Sequence, residues 1–134
     1  MLKVKTSYNS HGYTLDTGRA VVKIGGKEGE VYPYDMLLGA LSSCFYYTLL
    51  EILEKRNDDV PGIEIVVTGE KREKVPTTLE WVKMDITVHG TVEENRFLRF
   101  VDLAARYCSI HETIGKVATM THEVHFVPLE AEEA

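Results

Sequence analysis

Three kinds of hydrophobic pattern succeed one another along this chain. The first has a short period. Leu2 and Val4 alternate with Lys3 and Lys5, and a break at Asn9-Ser10-His11-Gly12 follows. Tyr13 to Leu15 and Arg19 to Ile24 make two further short runs, parted by Asp16-Thr17-Gly18. Alternation of this kind suits half-buried strands, and the glycine-dense stop at Gly25-Gly26-Lys27-Glu28-Gly29 suits tight hairpins. The second pattern has no stripe at all. From Met36 to Leu53 every residue but Glu51 is apolar, small or hydroxylated, and Leu37, Leu38, Leu41, Phe45, Tyr46, Leu49, Leu50, Ile52 and Leu53 go right round a helical period. A helix apolar on all sides belongs in a core or a membrane. Its length is near the roughly 18 to 20 residues a bilayer needs. Gly39, Ser42, Ser43, the tyrosines, Glu51 and the strand-like flanks favour a buried central helix instead. Pro33 suits its first position, Asp35 puts negative charge in its first turn, and Glu54-Lys55-Arg56-Asn57, with Pro61-Gly62 beyond, ends it.

The third pattern alternates again and then turns helical. Ile63, Ile65 and Val67 predict a strand that Val75-Pro76-Thr77-Thr78 breaks. Val82, Met84, Ile86 and Val88 share one face of a longer strand, opposite Lys83, Asp85, Thr87 and His89, and the two strands are expected to pair as a hairpin. Thr91-Val92-Glu93-Glu94 has capping-box spacing and opens a helix on which Phe97, Phe100, Val101, Ala104 and Cys108 form the buried stripe. Ser109-Ile110-His111-Glu112 repeats that spacing at once, so a fresh helix is expected to start at Ser109, with the Cys108 sulfur beside its N-terminus. His122 to Val127 is a last strand, and Leu129-Glu130-Ala131-Glu132-Glu133-Ala134 a solvated acidic tail. This order predicts an α+β fold. No repeat, linker or low-complexity run divides residues 1–134, so one domain is expected.

Charge and composition narrow the function classes. The net charge is −6 and the pI about 5.4, which disfavours nucleic acid or an anionic membrane as partner. MLKVKTSYNS has no basic region followed by an apolar run, so no signal peptide is read there. A cytoplasmic protein is expected, where structural disulfides are uncommon. The glycines of residues 25–29 fit neither the Walker nor the dinucleotide spacing, and no cofactor is expected.

Candidate chemistry lies with the two cysteines, Cys44 in the apolar helix and Cys108. Such a pair is either inert core or redox-active. Cys44 lies about three turns inside its helix, beyond the reach of that helix's own dipole, so its thiolate needs stabilising from elsewhere. For Cys108, a helix start at Ser109 favours thiolate. Glu51, on the same helical face as Cys44, reads either as a proton acceptor or as solvation of the helix end. A metal site is the competing chemistry. His111, three residues after Cys108, has ligand spacing, but His122 and His125 point to opposite faces of a strand, and no metal site is assigned.

The run Pro33-Tyr34-Asp35-Met36-Leu37-Leu38-Gly39-Ala40-Leu41-Ser42-Ser43-Cys44 resembles the first cysteine motif of the OsmC/Ohr family, the osmotically induced and organic-hydroperoxide-resistance proteins. Ala105-Arg106-Tyr107-Cys108-Ser109-Ile110 resembles the second, and the element order matches over nearly the whole chain. The resemblance implies antiparallel sheets around a long buried helix in an intertwined homodimer, with sites at the subunit interface. It implies thiol peroxidase chemistry on organic hydroperoxides, with Cys44 peroxidatic, Cys108 resolving and a dithiol as reductant. The well-known peroxidases of the family also use an arginine from the N-terminal strands and a glutamate early in the first helix. Arg19 is the one arginine before Cys44, and Tyr34 stands in the glutamate's place. The alternative the resemblance leaves open is a non-peroxidatic dimer that binds a small apolar ligand at its interface, with cysteines that respond to oxidants without turnover.

Overall fold

A computed structural model describes residues 1–128, and the acidic tail lies outside them. The elements are β1 (Lys5–Asn9), β2 (Gly12–Asp16), β3 (Val21–Ile24), α1 (Pro33–Lys55), β4 (Gly62–Lys71), β5 (Leu79–His89), α2 (Glu94–Tyr107), α3 (Ser109–Gly115) and β6 (Thr119–Val127). The chain divides into two compact units, Met1–Leu37 and Leu38–Ala134.

The first unit is an antiparallel meander in the order β1-β2-β3. Asn9 pairs with Gly12 across a two-residue turn, which Gly12 makes possible by adopting φ of 128°, a region closed to most side chains. The first strand begins later than the Leu2/Val4 alternation predicts. Leu2 and Val4 are exposed and precede the first strand, and Arg19 and Ala20 belong to the turn before β3. The unit ends in the start of α1, where the Asp35 carboxylate accepts the N–H of Tyr32 at 2.8 Å. The reciprocal Met36 N–H to Tyr32 carbonyl bond closes the first turn.

The second unit holds the core. Three stripes supply it: Leu41, Phe45, Leu49 and Leu53 from α1; Val82, Met84, Ile86 and Val88 from β5; and Phe97, Phe100, Val101 and Ala104 from α2. Each of these side chains larger than alanine contributes roughly 1.5–3 kcal/mol by leaving water. β4 and β5 form the expected antiparallel hairpin. β6 instead lies parallel to β5, so the β4-β5-β6 sheet is mixed. A parallel neighbour needs a crossover rather than a hairpin, and α2 with α3 is that crossover.

The start of α2 differs from the expected cap, while the end of α1 falls at the expected Glu54-Lys55-Arg56-Asn57 stretch. The N-cap of α2 is Glu93, whose carboxylate accepts the N–H groups of Asn95 and Arg96. A charged acceptor here outcompetes the Thr91 hydroxyl because it meets the helix dipole as well. At the far end of α1, Asn57 takes φ of 55° and Asp58 N–H returns to the Leu53 carbonyl, a left-handed termination that asparagine tolerates. Asp58 then grips Arg96 through two bonds of 2.9 and 3.2 Å, tying the exit of α1 to the entry of α2.

Although α1 is apolar all round, only the stripe spaced by four residues is fully buried. Leu37 is 37% exposed and Tyr47 69%. By length and composition α1 could cross a membrane, but its buried stripe belongs to the core just described.

Candidate functional site

Cys44 sits in mid-helix, half-buried, immediately before the buried Phe45. Thr48 returns its hydroxyl to the Cys44 carbonyl at 2.9 Å, so the local backbone is fully helical. Cys108 lies where α2 gives way to α3. Its own N–H still bonds the Ala104 carbonyl, closing α2, and its carbonyl accepts from Glu112 N–H, opening α3. Between the two it adopts φ −71° and ψ 115°, a single extended residue that serves as the cap of both helices. Its side chain is wholly buried. The expected helix start at Ser109 is therefore found, with Cys108 rather than Ser109 as N-cap.

This junction brings together two thiols that are 64 positions apart in sequence. Burial pushes the Cys44 thiol up. Against it act the N–H of Ile110, the Cys108 thiol, the Ser109 hydroxyl and the N–H of Ser109, all directed at its sulfur, and together they hold it below the ordinary value of 9.0. The Ser109 oxygen is 3.9 Å from the Cys44 sulfur. Cys108 moves the other way. Burial raises it, the His111 N–H opposes, and its hydrogen bond to Cys44 and the charge there raise it further. In this arrangement the Cys44 thiol is lowered and the Cys108 thiol raised, with Cys108 directed at Cys44. The thiolate support that Cys44 could not draw from α1 comes from the start of α3. Local spacing alone assigns that support to Cys108, since the reach of the same N–H groups to Cys44 is a tertiary contact.

The remaining candidates are placed as follows. Arg19 is exposed in the β2–β3 turn of the first unit, where its N–H bonds the Thr17 hydroxyl. Glu51 is ion-paired to Lys55 at 3.0 Å, and both are largely exposed, which fits solvation of the helix end. The two also line a groove with Thr48, Ile52, Leu103 and Tyr107 between α1 and α2. His111 is half-buried, its imidazole held below 6.5 by burial and then by the charge of His122, with Glu112 opposing. His122 bonds Asp102 at 3.0 Å.

One cluster escaped the sequence reading. Asp85, Glu123 and His125 bring their ligand atoms within 4.8 Å of one another. Glu123 and His125 share a face at the i, i+2 spacing of a strand, a signal present in the sequence. Asp85 joins them through the parallel register, which was not. Lys83 lies 3.6 Å from Asp85 and 3.4 Å from Glu123, so an ammonium already balances these carboxylates.

The family model for OsmC-like proteins matches residues 25–123, a stretch that contains both cysteines. The chain belongs to the OsmC-like family. It is 31% identical to protein YhfA of Escherichia coli over 97 residues, 71% of this chain and 72% of that protein. In fold it is similar to an OsmC-like protein from Mycoplasma pneumoniae, at a TM-score of 0.85 and 16% identity over 95% of this chain and 97% of the other. The organic hydroperoxide resistance protein OhrB of Bacillus subtilis gives a TM-score of 0.70 at 15% identity, covering 92% and 97%. These likenesses match the α+β architecture of two small sheets and three helices.

Proposed function

We propose that this OsmC-like protein is a thiol-dependent peroxidase that reduces organic hydroperoxides, with Cys44 attacking and Cys108 resolving. The carrying observation is that the α2–α3 junction sets the Cys108 and Ser109 side chains against the Cys44 sulfur, with Cys44 held below and Cys108 above the ordinary thiol value. The Cys44 thiolate attacks the distal peroxide oxygen and the O–O bond breaks. The alkoxide leaves with a proton as the alcohol, and Cys44 becomes a sulfenic acid. The Cys108 thiol then attacks that sulfur, water departs and a disulfide forms. An external dithiol returns both residues to thiols by exchange. Likeness to a hydroperoxide-resistance protein supports the choice of oxidant.

Assembly and surroundings follow from the same reading. Leu37 and Tyr47 leave apolar surface on α1, which a second copy of the chain covers in a homodimer. Two free thiols suit the reducing cytoplasm.

Anaerobic titration of the reduced protein with cumene hydroperoxide is the test. The expectation is two thiols lost per peroxide consumed; peroxide that survives beside intact thiols sinks the reading. A second reading is then favoured. The groups acting on Cys44 among the described residues are N–H groups, a hydroxyl and a thiol, all of them neutral, and Tyr34 stands where the family peroxidases have glutamate. The protein would in that case bind a small apolar ligand, its thiols reporting oxidants without turnover.

A further inference from the structure

We propose that Ser109 is a positioning residue for Cys44: its hydroxyl holds the sulfur as thiolate, doing with a neutral donor what charged side chains do elsewhere. The inference rests on Cys44 as the attacking thiol and concerns what prepares it. The starting point is a diverted capping box. Ser109 and Glu112 have the spacing in which a serine hydroxyl and a glutamate carboxylate cap one another's N–H groups. Neither does so here. Cys108 occupies the N-cap, Ser109 becomes the first helical residue, and Glu112 is ion-paired to Lys116 at 3.1 Å. The serine hydroxyl is thereby released from capping and lies 3.9 Å from the Cys44 sulfur.

The contact is asymmetric in the protonation state. Towards a Cys44 thiol it is a weak interaction in which either atom donates, since S–H and S are both poor partners. Towards the thiolate only the hydroxyl can donate, and the bond becomes charge-assisted. A group that binds one form better than the other shifts the equilibrium toward that form. Two side chains donate to Cys44, the Cys108 thiol and the Ser109 hydroxyl. Cys108 is consumed when it attacks the sulfenic acid. Ser109 takes no part in bond making, so it is the side-chain donor present at every stage of the cycle.

The test reads Cys44 itself and needs no peroxide. The full-length reduced protein is labelled with iodoacetamide across a pH series, and modification at each cysteine is resolved by peptide mass. In Ser109→Ala, labelling of Cys44 at pH 7 is expected to be about three- to tenfold slower than in the unaltered chain, with rates converging at high pH and Ser109→Thr returning to within about twofold. A Cys44 profile unmoved by Ser109→Ala overturns the proposal, as does a threonine variant that behaves like alanine. Cys108, wholly buried, serves as the reporter of loosening: if Ser109→Ala exposes it to labelling at all pH values, the serine is structural and the proposal fails. A shifted profile in a protein that consumes no cumene hydroperoxide keeps Ser109's role and removes the peroxidase reading. An unshifted profile in a protein that does consume it has the opposite meaning.

Discussion

The middle of α1 and the junction of α2 with α3 each carry one cysteine, and their surroundings are opposite in every local respect. Cys44 is embedded in regular helix, far from either end, and half-open to solvent. Cys108 sits at a helix start, the place where thiolates are ordinarily favoured, yet it is completely buried. The lowered thiol is nevertheless Cys44. Burial raises both thiols, but the Ser109 hydroxyl and N–H and the Ile110 N–H at the start of α3 point at the neighbouring helix's sulfur and bring it below the ordinary value, while the His111 and Ile110 N–H groups do not do the same for Cys108. Whether a sulfur is activated depends on where the donors aim and on desolvation, not on the element that owns the cysteine.

The largest effect that can break this contrast is on turnover. Cys44→Ser is expected to abolish peroxide consumption, since a serine hydroxyl is not appreciably ionised. Cys108→Ser should keep a single stoichiometric reaction that leaves Cys44 as a sulfenic acid trappable with dimedone, and further peroxide should inactivate it by over-oxidation. Dimedone on Cys108 in the Cys44→Ser protein, with Cys44 unlabelled in the reciprocal variant, would invert the assignment.

A second effect, smaller, concerns acid–base behaviour in the unaltered protein. Because Cys44 lies below the ordinary thiol value and Cys108 above it, Cys44 should alkylate faster at neutral pH. Its rate should fall as pH drops through that lowered value, since attack requires thiolate. Raising the pH should narrow the gap as Cys108 begins to ionise. Equal rates at neutral pH would erase the distinction between the two regions.

The smallest effect is on stability and probes the junction alone. The native His111 imidazole resists protonation relative to its ordinary value of 6.5. The unfolded chain thus binds more protons below about pH 6.5, and stability falls as pH is lowered from there toward the depressed native value. His111→Gln should make the decline in melting temperature between about pH 7.5 and pH 5.5 shallower. An unchanged slope would mean that other groups carry the acid limb.

Much of this architecture is legible in the residues. The apolar run of α1, the hairpin of β4 with β5, the buried stripe of α2 and the restart near Ser109 all follow from local spacing, and the structure has each of them. The misreadings share one cause, which is that tertiary partners lie outside any sequence window. The alternation of Leu2 and Val4 looks like a strand, but among the described residues no strand lies beside it to bond. Thr91 has the right spacing for a cap, but Glu93 takes the N–H groups. The full circle of apolar residues on α1 predicts burial all round, whereas the core of the second unit covers one stripe. At the site, both cysteines were visible in the sequence. Their roles could be read there only through the family resemblance, because the donors that lower Cys44 are Ile110 and Ser109 reaching across to another helix.

The parallel pairing of β6 with β5 has a bearing on when such a site comes into being. The hairpin of β4 and β5 can zip from its turn, but a parallel strand can add only after the whole α2–α3 segment has looped over the sheet. Contacts of that span are the ones that slow folding most. Cys108 rides on this segment, so a nascent or partly opened chain holds Cys44 without its donors and with an ordinary, sluggish thiol. Reactivity toward electrophiles is thereby withheld until the most distant contacts have closed.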